Sequence, residues 1–396
     1  MRAFRHRLIC LACATAAVVQ PVYATTAPLA PPAPATTPTV AIPYSPEGTE
    51  EQGLWMEMDE VERRIRNSPQ LITDPALQAY IRSVLCRTVG ETRCGAARIY
   101  IARTTEPNAS MAPNGMMLIN SGMLLHITSE AQLAAVLGHE FAHYEHRHAL
   151  LWFREVKKKG SAALWLAMTG IGLLAVGSVT SGLSNYSRDM EREADMDGLT
   201  RLASAGYALS EVSAPWKLFR AEWDATAVER KRKSRTLKDD KADGSHPALS
   251  ERIAYSEAEA AKQAPGAETG KDRYQAALAS WMPGFLEDQI KLNDFGASDV
   301  LIAALAERTG SPALLVARGD LYRSHAQPGD FEKADAFYSA AATSPDAPPQ
   351  AWRGRGLVRL KLGQVEQGKA DLRDYLKRTP DAPDRAMMAM MIGETP

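Results

Sequence analysis

Apolar positions fall at helical spacing over long stretches of this chain and alternate in only two short runs, so the periodicity predicts a mostly helical protein with a small sheet. Leu54 to Arg66 and Pro75 to Thr88 read as helices, the second introduced by Asp74 as N-cap with Pro75 at the first helical position. Arg98 to Ala102 and Met116 to Ile119 read as strands. Ser129 to Leu150 then reads as one capped helix: Ser129 is the N-cap, Gln132 takes the capping-box position, and Leu133, Val136 and Leu137 supply an apolar face. Arg188 to Leu202 has helical composition without proline.

Two segments depart from this pattern. Gly160 to Ser187 holds no charged residue and has the length of a membrane span, but Gly170, Gly172, Gly177 and Gly182 interrupt it, and it is too short for two spans of about 20 residues each. It reads as a buried or interfacial helical hairpin, with peripheral membrane contact left open. In the last third, Gly319, Tyr322, Ala334 and Pro345 are echoed by Gly356, Gly368 and Pro380, and the prolines at 312, 345 and 380 are spaced by 33 and 35 residues. That approaches the roughly 34-residue period of tetratricopeptide repeats, in which small residues let paired helices pack closely. So few repeats must lean on a neighbouring domain, where they form a surface for a client or an assembly machine.

Arg2, Arg5 and Arg7 precede an apolar run from Leu8 to Val19, and Val22-Tyr23-Ala24 offers small residues where a signal peptidase cuts. Residues 1–24 are therefore expected to be a signal peptide and residues 25–46, rich in Pro, Ala and Thr, a linker. Export removes Cys10 and Cys13 and leaves Cys86 and Cys94, which an oxidising compartment favours joining; two free buried thiols are the alternative. A basic run between Glu229 and Asp243 is the one segment that suggests nucleic acid. With a formal net charge of -1 and no interleaved aromatics, it reads as a solvated loop, and no nucleic-acid partner is expected.

The candidate chemistry is concentrated in His139-Glu140-Phe141-Ala142-His143. Histidines four apart on a helix lie on one face, about 6 Å apart along the axis, and can share a metal. The glutamate between them can deprotonate a water that the metal acidifies. A catalytic zinc needs a third protein ligand, and Glu191 and Asp195, one turn apart, allow one carboxylate to bind the metal while the other orients a ligand histidine, with Glu193 also allowed by the sequence alone. Three ligands from one straight helix make poor tetrahedral geometry, so His146 and His148 read as structural. His146 and Ala149 stand where the metzincin pattern needs glycine and histidine, which rejects that alternative.

The run Asn108 to Gly115, then Leu118 to Gly122, the helix ending His143-Tyr-Glu-His-Arg-His148, and Ser187-Arg188 to Asp195 together resemble the zinc metallopeptidase family of the CAAX prenyl endopeptidase and HtpX. The soluble periplasmic branch of β-barrel assembly-enhancing proteases is the nearer likeness, over roughly Leu54 to Ile253 and into the tail. The resemblance implies one zinc on His139, His143 and Glu191, with Glu140 as general base and Asp195 behind a ligand histidine. Ser245-His246-Pro247 with Arg252 is similar to a segment whose histidine approaches the zinc. His246 is then either a fourth ligand that holds the enzyme latent or a donor to the oxyanion; a helix-capping histidine is the plain alternative. In peptidases of this kind an edge strand beside the site binds extended substrate main chain, with Asn114-Gly115 marking the turn into it.

The expectation is therefore an α+β, mostly α fold: a gluzincin-type zinc metallopeptidase domain with a small sheet over residues 47–265, then an α-helical tetratricopeptide-like repeat domain over 266–396. Function follows as a periplasmic zinc endopeptidase for unfolded or misassembled polypeptides in outer-membrane protein assembly, with the β-barrel assembly machinery as a partner. The alternative is a chaperone or adaptor that works through its repeats and has little protease activity.

Overall fold

The computed structural model describes residues 45–158, 181–234 and 248–394. The expected signal peptide, nearly all of the linker, most of the apolar glycine-interrupted stretch, most of the basic loop and His246 lie outside the described residues.

Helix α1 (Gly48–Arg66), strand β1 (Leu71–Ile72), helix α2 (Pro75–Val89) and the single turn α3 (Glu91–Cys94) precede the rest of the sheet, formed by β2 (Arg98–Ala102), β3 (Ala109–Met111) and β4 (Met116–Asn120). Asp74 caps α2 as its position suggests, accepting from the main-chain N–H groups of Ala76 and Leu77. The strand order is β1-β2-β4-β3, with β2 and β4 parallel and the outer pairs antiparallel. Strand β3 is absent from the sequence expectation because three residues are too few for alternation to register. It is one of the two edge strands, β1 being the other.

Helices α4 (Ser121–His126), α5 (Glu130–Glu145) and α6 (His148–Lys158) follow. The expected single helix from Ser129 to Leu150 is thus two. The chain breaks at Arg147, whose φ of 56° is left-handed, and the Arg147 guanidinium is paired with the fully buried Glu51 of α1. A long-range ion pair, invisible to local periodicity, turns the chain at that point. Helix α7 (Ser181–Ser204) returns along α5, a short 3-10 turn spans Leu209–Glu211, and α8 (Ser213–Glu229) and α9 (Leu249–Ala260) complete this part.

The remaining helices are α10 (Lys271–Leu278), α11 (Met282–Lys291), α12 (Phe295–Thr309), α13 (Pro312–His325), α14 (Asp330–Ala342), α15 (Gln350–Lys361), α16 (Val365–Arg378) and α17 (Arg385–Ile392). One apolar core runs from Ile72 through Ile101, Ile119, Leu133 and Phe141 to Tyr274, Leu301 and Leu321; a second holds Val316, Tyr338, Trp352, Leu372 and Met388. Helix α13 contributes to both. The repeat glycines serve a steric purpose, since a Cβ on Gly319 or Gly354 would lie 2.7 or 2.3 Å from the Tyr338 ring, which lies between α13 and α15. Gly356 and Gly368 bring α15 and α16 together in the same way. No helix of the described residues is long and apolar enough to cross a membrane.

Candidate metal centre

Helix α5 begins at Ser129, whose hydroxyl accepts from the N–H of Gln132, while the Gln132 carboxamide reaches back to the N–H of Thr128. Its metal-binding face meets α7 through two glycines that no periodicity argument singles out. A Cβ on Gly198 would stand 3.3 Å from the main-chain nitrogen of His139, and one on Gly138 would stand 3.7 Å from the Cα of Gly198. Helices normally pack 8–10 Å apart, and glycine at the crossing permits the closer end of that range. Glu191 and Asp195 lie on the same face of α7 as Gly198, so this contact carries both carboxylates against the histidines.

His139 Nε2 and His143 Nε2 are 3.1 Å apart, and each lies 3.5 Å from an oxygen of Glu191. A tetrahedral zinc with bonds of 2.0–2.1 Å sets neighbouring donor atoms roughly 3.3 Å apart. Glu191 turns Oε2 to His139 and Oε1 to His143, one ligand atom from each of the three residues lies within 4.8 Å of the others, and the donor set of two imidazoles and a carboxylate suits zinc. Glu140 is partly buried on the same helical turn as His139.

The ligand face is held from behind. His139 Nδ1 lies 2.8 Å from Asp195, which leaves Nε2 facing Glu191. Arg252 of α9 donates to both Asp195 oxygens at 2.8 and 2.5 Å, the Tyr255 hydroxyl donates to the same carboxylate, and the guanidinium covers the Trp216 ring at 3.9 Å. Burial opposes the charge on Asp195, but Arg252 and His139 hold its carboxyl well below the usual carboxylate range. Burial likewise disfavours protonating His139, yet the Asp195 and Glu191 carboxylates outweigh it and push its pKa up to about 10. His143 goes the other way, lowered to about 3 by burial and by the charge on His139.

Asn114 and Gly115 lie in the turn between β3 and β4, as expected. Asn114 is 1% exposed and turned inward: its amide donates to Asp59 and Glu62 at 2.8 and 3.0 Å, and its oxygen accepts from the N–H of Met116. Gly115, at φ 88°, packs where a Cβ would come within 2.4 Å of the Ala96 carbonyl oxygen. Both residues build the β3–β4 turn, and the Asn114 side chain ties it to α1. The strand that does face outward is β3. Asn108 and Ala112 pair inward with β4, so antiparallel alternation aims the main-chain groups of Ala109 and Met111 away from the sheet.

Cys86 and Cys94 are joined by a disulfide at the end of α2. His146 and His148 join Glu193 in a second cluster whose ligand-type atoms lie within 4.8 Å of one another. His148 is buried and touches His143, a contact that depends on the break at Arg147.

Comparison with known proteins agrees with this geometry. The profile of Peptidase family M48 matches residues 75–260, and that of the tetratricopeptide repeat matches residues 321–393. A Vibrio cholerae serotype O1 protein assigned as a beta-barrel assembly-enhancing protease is 31% identical over 161 residues, covering 37% of this chain and 33% of the relative. The beta-barrel assembly-enhancing protease of Escherichia coli K12 is 27% identical over the same length, again covering 33% of the relative. The mitochondrial metalloendopeptidase OMA1 of Arabidopsis thaliana is 37% identical over 109 residues, covering 25% of this chain and 21% of the relative. The matched region spans about a third of the bacterial relatives, and the residues that the family profile matches include both helices of the candidate centre. Residues 75–260 are thus a Peptidase family M48 domain, and residues 321–393 carry tetratricopeptide repeats.

Proposed function

We propose that this protein is an exported, periplasmic zinc endopeptidase that cleaves unfolded or misassembled polypeptides during outer-membrane protein assembly. The observation that carries the reading is the convergence of His139, His143 and Glu191 beside Glu140, with the two Nε2 atoms 3.1 Å apart and each 3.5 Å from a different Glu191 oxygen. Zinc held by those three residues supplies a Lewis acid that polarises the scissile carbonyl and makes a water acidic. Glu140 takes the proton of the attacking water and returns it to the leaving nitrogen. Asp195, locked by Arg252, keeps His139 in the tautomer that presents Nε2.

Substrate binding by strand addition on β3 is supported by the outward main-chain groups of Ala109 and Met111, which recognise backbone more than side chains. Broad tolerance of sequence and a need for extended, unfolded segments follow. The place in β-barrel assembly rests on the names of the bacterial relatives, and the repeats are proposed to hold clients or the assembly machinery. His246 is proposed to restrain or assist the centre; the turnover of a short peptide by His246→Ala rises in the first case and falls in the second.

The test of the main reading is Glu140→Gln against His143→Ala. The first should lose roughly 10²–10⁴-fold or more in peptide turnover while keeping close to one zinc per chain, and the second should lose both. Proteolysis by Glu140→Gln at the wild-type rate removes Glu140 from the mechanism.

A further inference from the structure

The two histidines of the centre are backed by different groups. His139 presents Nδ1 to a carboxylate, that of Asp195 at 2.8 Å. His143 presents Nδ1 to another imidazole: His148 Nδ1 stands 2.9 Å away, with the rings edge-on at 75°. His148 is 3% exposed, and its other nitrogen lies 3.2 Å from an oxygen of Glu193. Five residues along an unbroken helix turn a side chain about 140° from its starting face. Only the left-handed Arg147 between them, held by Glu51, brings His148 against His143.

Proton positions along this chain of atoms follow from valence. A neutral imidazole that offers Nε2 to a metal carries its hydrogen on Nδ1. The Nδ1–H of His143 must therefore donate, and the atom facing it is His148 Nδ1, which must accept. His148 then carries its own hydrogen on Nε2, where the Glu193 carboxylate accepts it. Every donor in this chain meets an acceptor.

We propose that His148, oriented by Glu193, is a positioning residue that fixes the tautomer and ring orientation of His143 for metal binding. The inference rests on the proposed ligand set and extends it. It also excludes a second metal on His146, His148 and Glu193, although their donor atoms lie close enough to hold one. The lone pair of His148 is used on His143, and its Nε2 bears a hydrogen.

The test is zinc affinity of the full chain by chelator competition, with visible spectra of the cobalt-loaded protein, for wild type, His148→Leu, His148→Gln and Glu193→Ala. Glutamine keeps an acceptor oxygen and a donor N–H in reach of the same partners, whereas leucine keeps only bulk. His148→Leu should bind zinc about 10–100-fold more weakly and shift the cobalt spectrum; His148→Gln should recover most of both. Glu193→Ala alters an exposed side chain that the fold does not need and should weaken zinc several-fold. Equal affinity for wild type, His148→Leu and His148→Gln overturns the proposal. If the leucine variant does not fold, wild-type zinc affinity and an unchanged cobalt spectrum in Glu193→Ala overturn it instead. Wild type should bind one zinc per chain, and a second equivalent lost in His146→Ala also overturns it. A wild-type chain whose zinc survives His139→Ala defeats the ligand set itself, an outcome distinct from all of these.

Discussion

Two places in this molecule are built on helices that approach at glycine. At the centre, Gly138 and Gly198 let α5 and α7 close, and the contact presses His139, Glu191, Asp195 and Arg252 into one buried cluster. In the repeats, Gly319 and Gly354 close on the Tyr338 ring, and what meets there is aromatic and aliphatic, apart from a hydroxyl satisfied by Asp320 and Arg323. The backbone device is shared, but the energetics are opposite. Close packing of apolar groups stabilises on its own account, while close packing of charges costs desolvation that only mutual pairing, or a metal, offsets. The repeats are therefore expected to be indifferent to what the centre holds, and the centre to fail electrostatically before it fails sterically.

The sharpest way to break this comparison is to put the same side chain at both crossings. Gly198→Val pushes α7 from the main chain of His139 and should reduce zinc affinity more than a hundredfold, since three donors must stay within a few tenths of an ångström of the geometry above. Gly354→Val collides with Tyr338 and should cost at least about 1–3 kcal/mol of stability, the usual range for overpacking, with zinc affinity unchanged. Chelator competition and urea unfolding read the two effects. Loss of zinc in the Gly354 variant would show that the regions are coupled and would end the comparison.

A smaller effect is expected from neutralising one buried carboxylate in each region. Asp195→Asn leaves Arg252, which is 6% exposed and covered by Trp216, with only the longer 3.9 Å pair to Glu191, so a loss of roughly 3 kcal/mol, the low end for breaking a buried pair, is expected, along with at least about tenfold weaker zinc binding. Asp371→Asn removes the partner of Arg355 and Arg359, but both side chains keep partial solvent access and Arg359 retains Asp335. Its cost should be less than half as large. Equal losses in urea would mean that desolvation does not distinguish the two sites.

The parts of this design that were legible in the sequence are those whose cause is local. The caps at Asp74 and Ser129, the spacing of His139 and His143 and the proline-bounded repeats each show within a few residues. What was not legible depends on distant partners. Glu51 of α1 breaks the helix at Arg147, Asp59 and Glu62 turn Asn114 inward, and Gly198 has meaning only once it lies against His139. Reading His148 as structural followed from assuming one straight helix. With the chain turned at Arg147, the same residue touches His143, a proposed metal ligand.

The mildest test uses pH, because only the centre contains histidines set in opposition. In the folded, metal-free chain His139 titrates at about 10 and His143 at about 3, against an ordinary value of 6.5. Between those limits the folded pair therefore keeps one proton. The unfolded pair has two protons well below 6.5 and none well above it. Above 6.5 the folded state holds the extra proton, so stability falls as pH rises towards 10; below 6.5 the unfolded state holds it, so stability falls as pH drops. Asp195, with its depressed pKa, adds stability that persists until pH falls through the carboxylate range and does not distort this window. The metal-free chain should thus be most stable near pH 6.5 and lose up to about 1.4 kcal/mol per pH unit on the alkaline side. Loading zinc leaves both imidazoles neutral in the folded state and should flatten that slope between pH 7 and 9, whereas Gly354→Val should lower the whole curve without changing its shape. Melting temperatures of the zinc-free and zinc-loaded chain across this range measure it. A metal-free curve that is already flat from pH 7 to 9 would mean that the Asp195 and Glu191 carboxylates do not hold a proton on His139, and that the contrast between a charged crossing and an apolar one is weaker than the geometry implies.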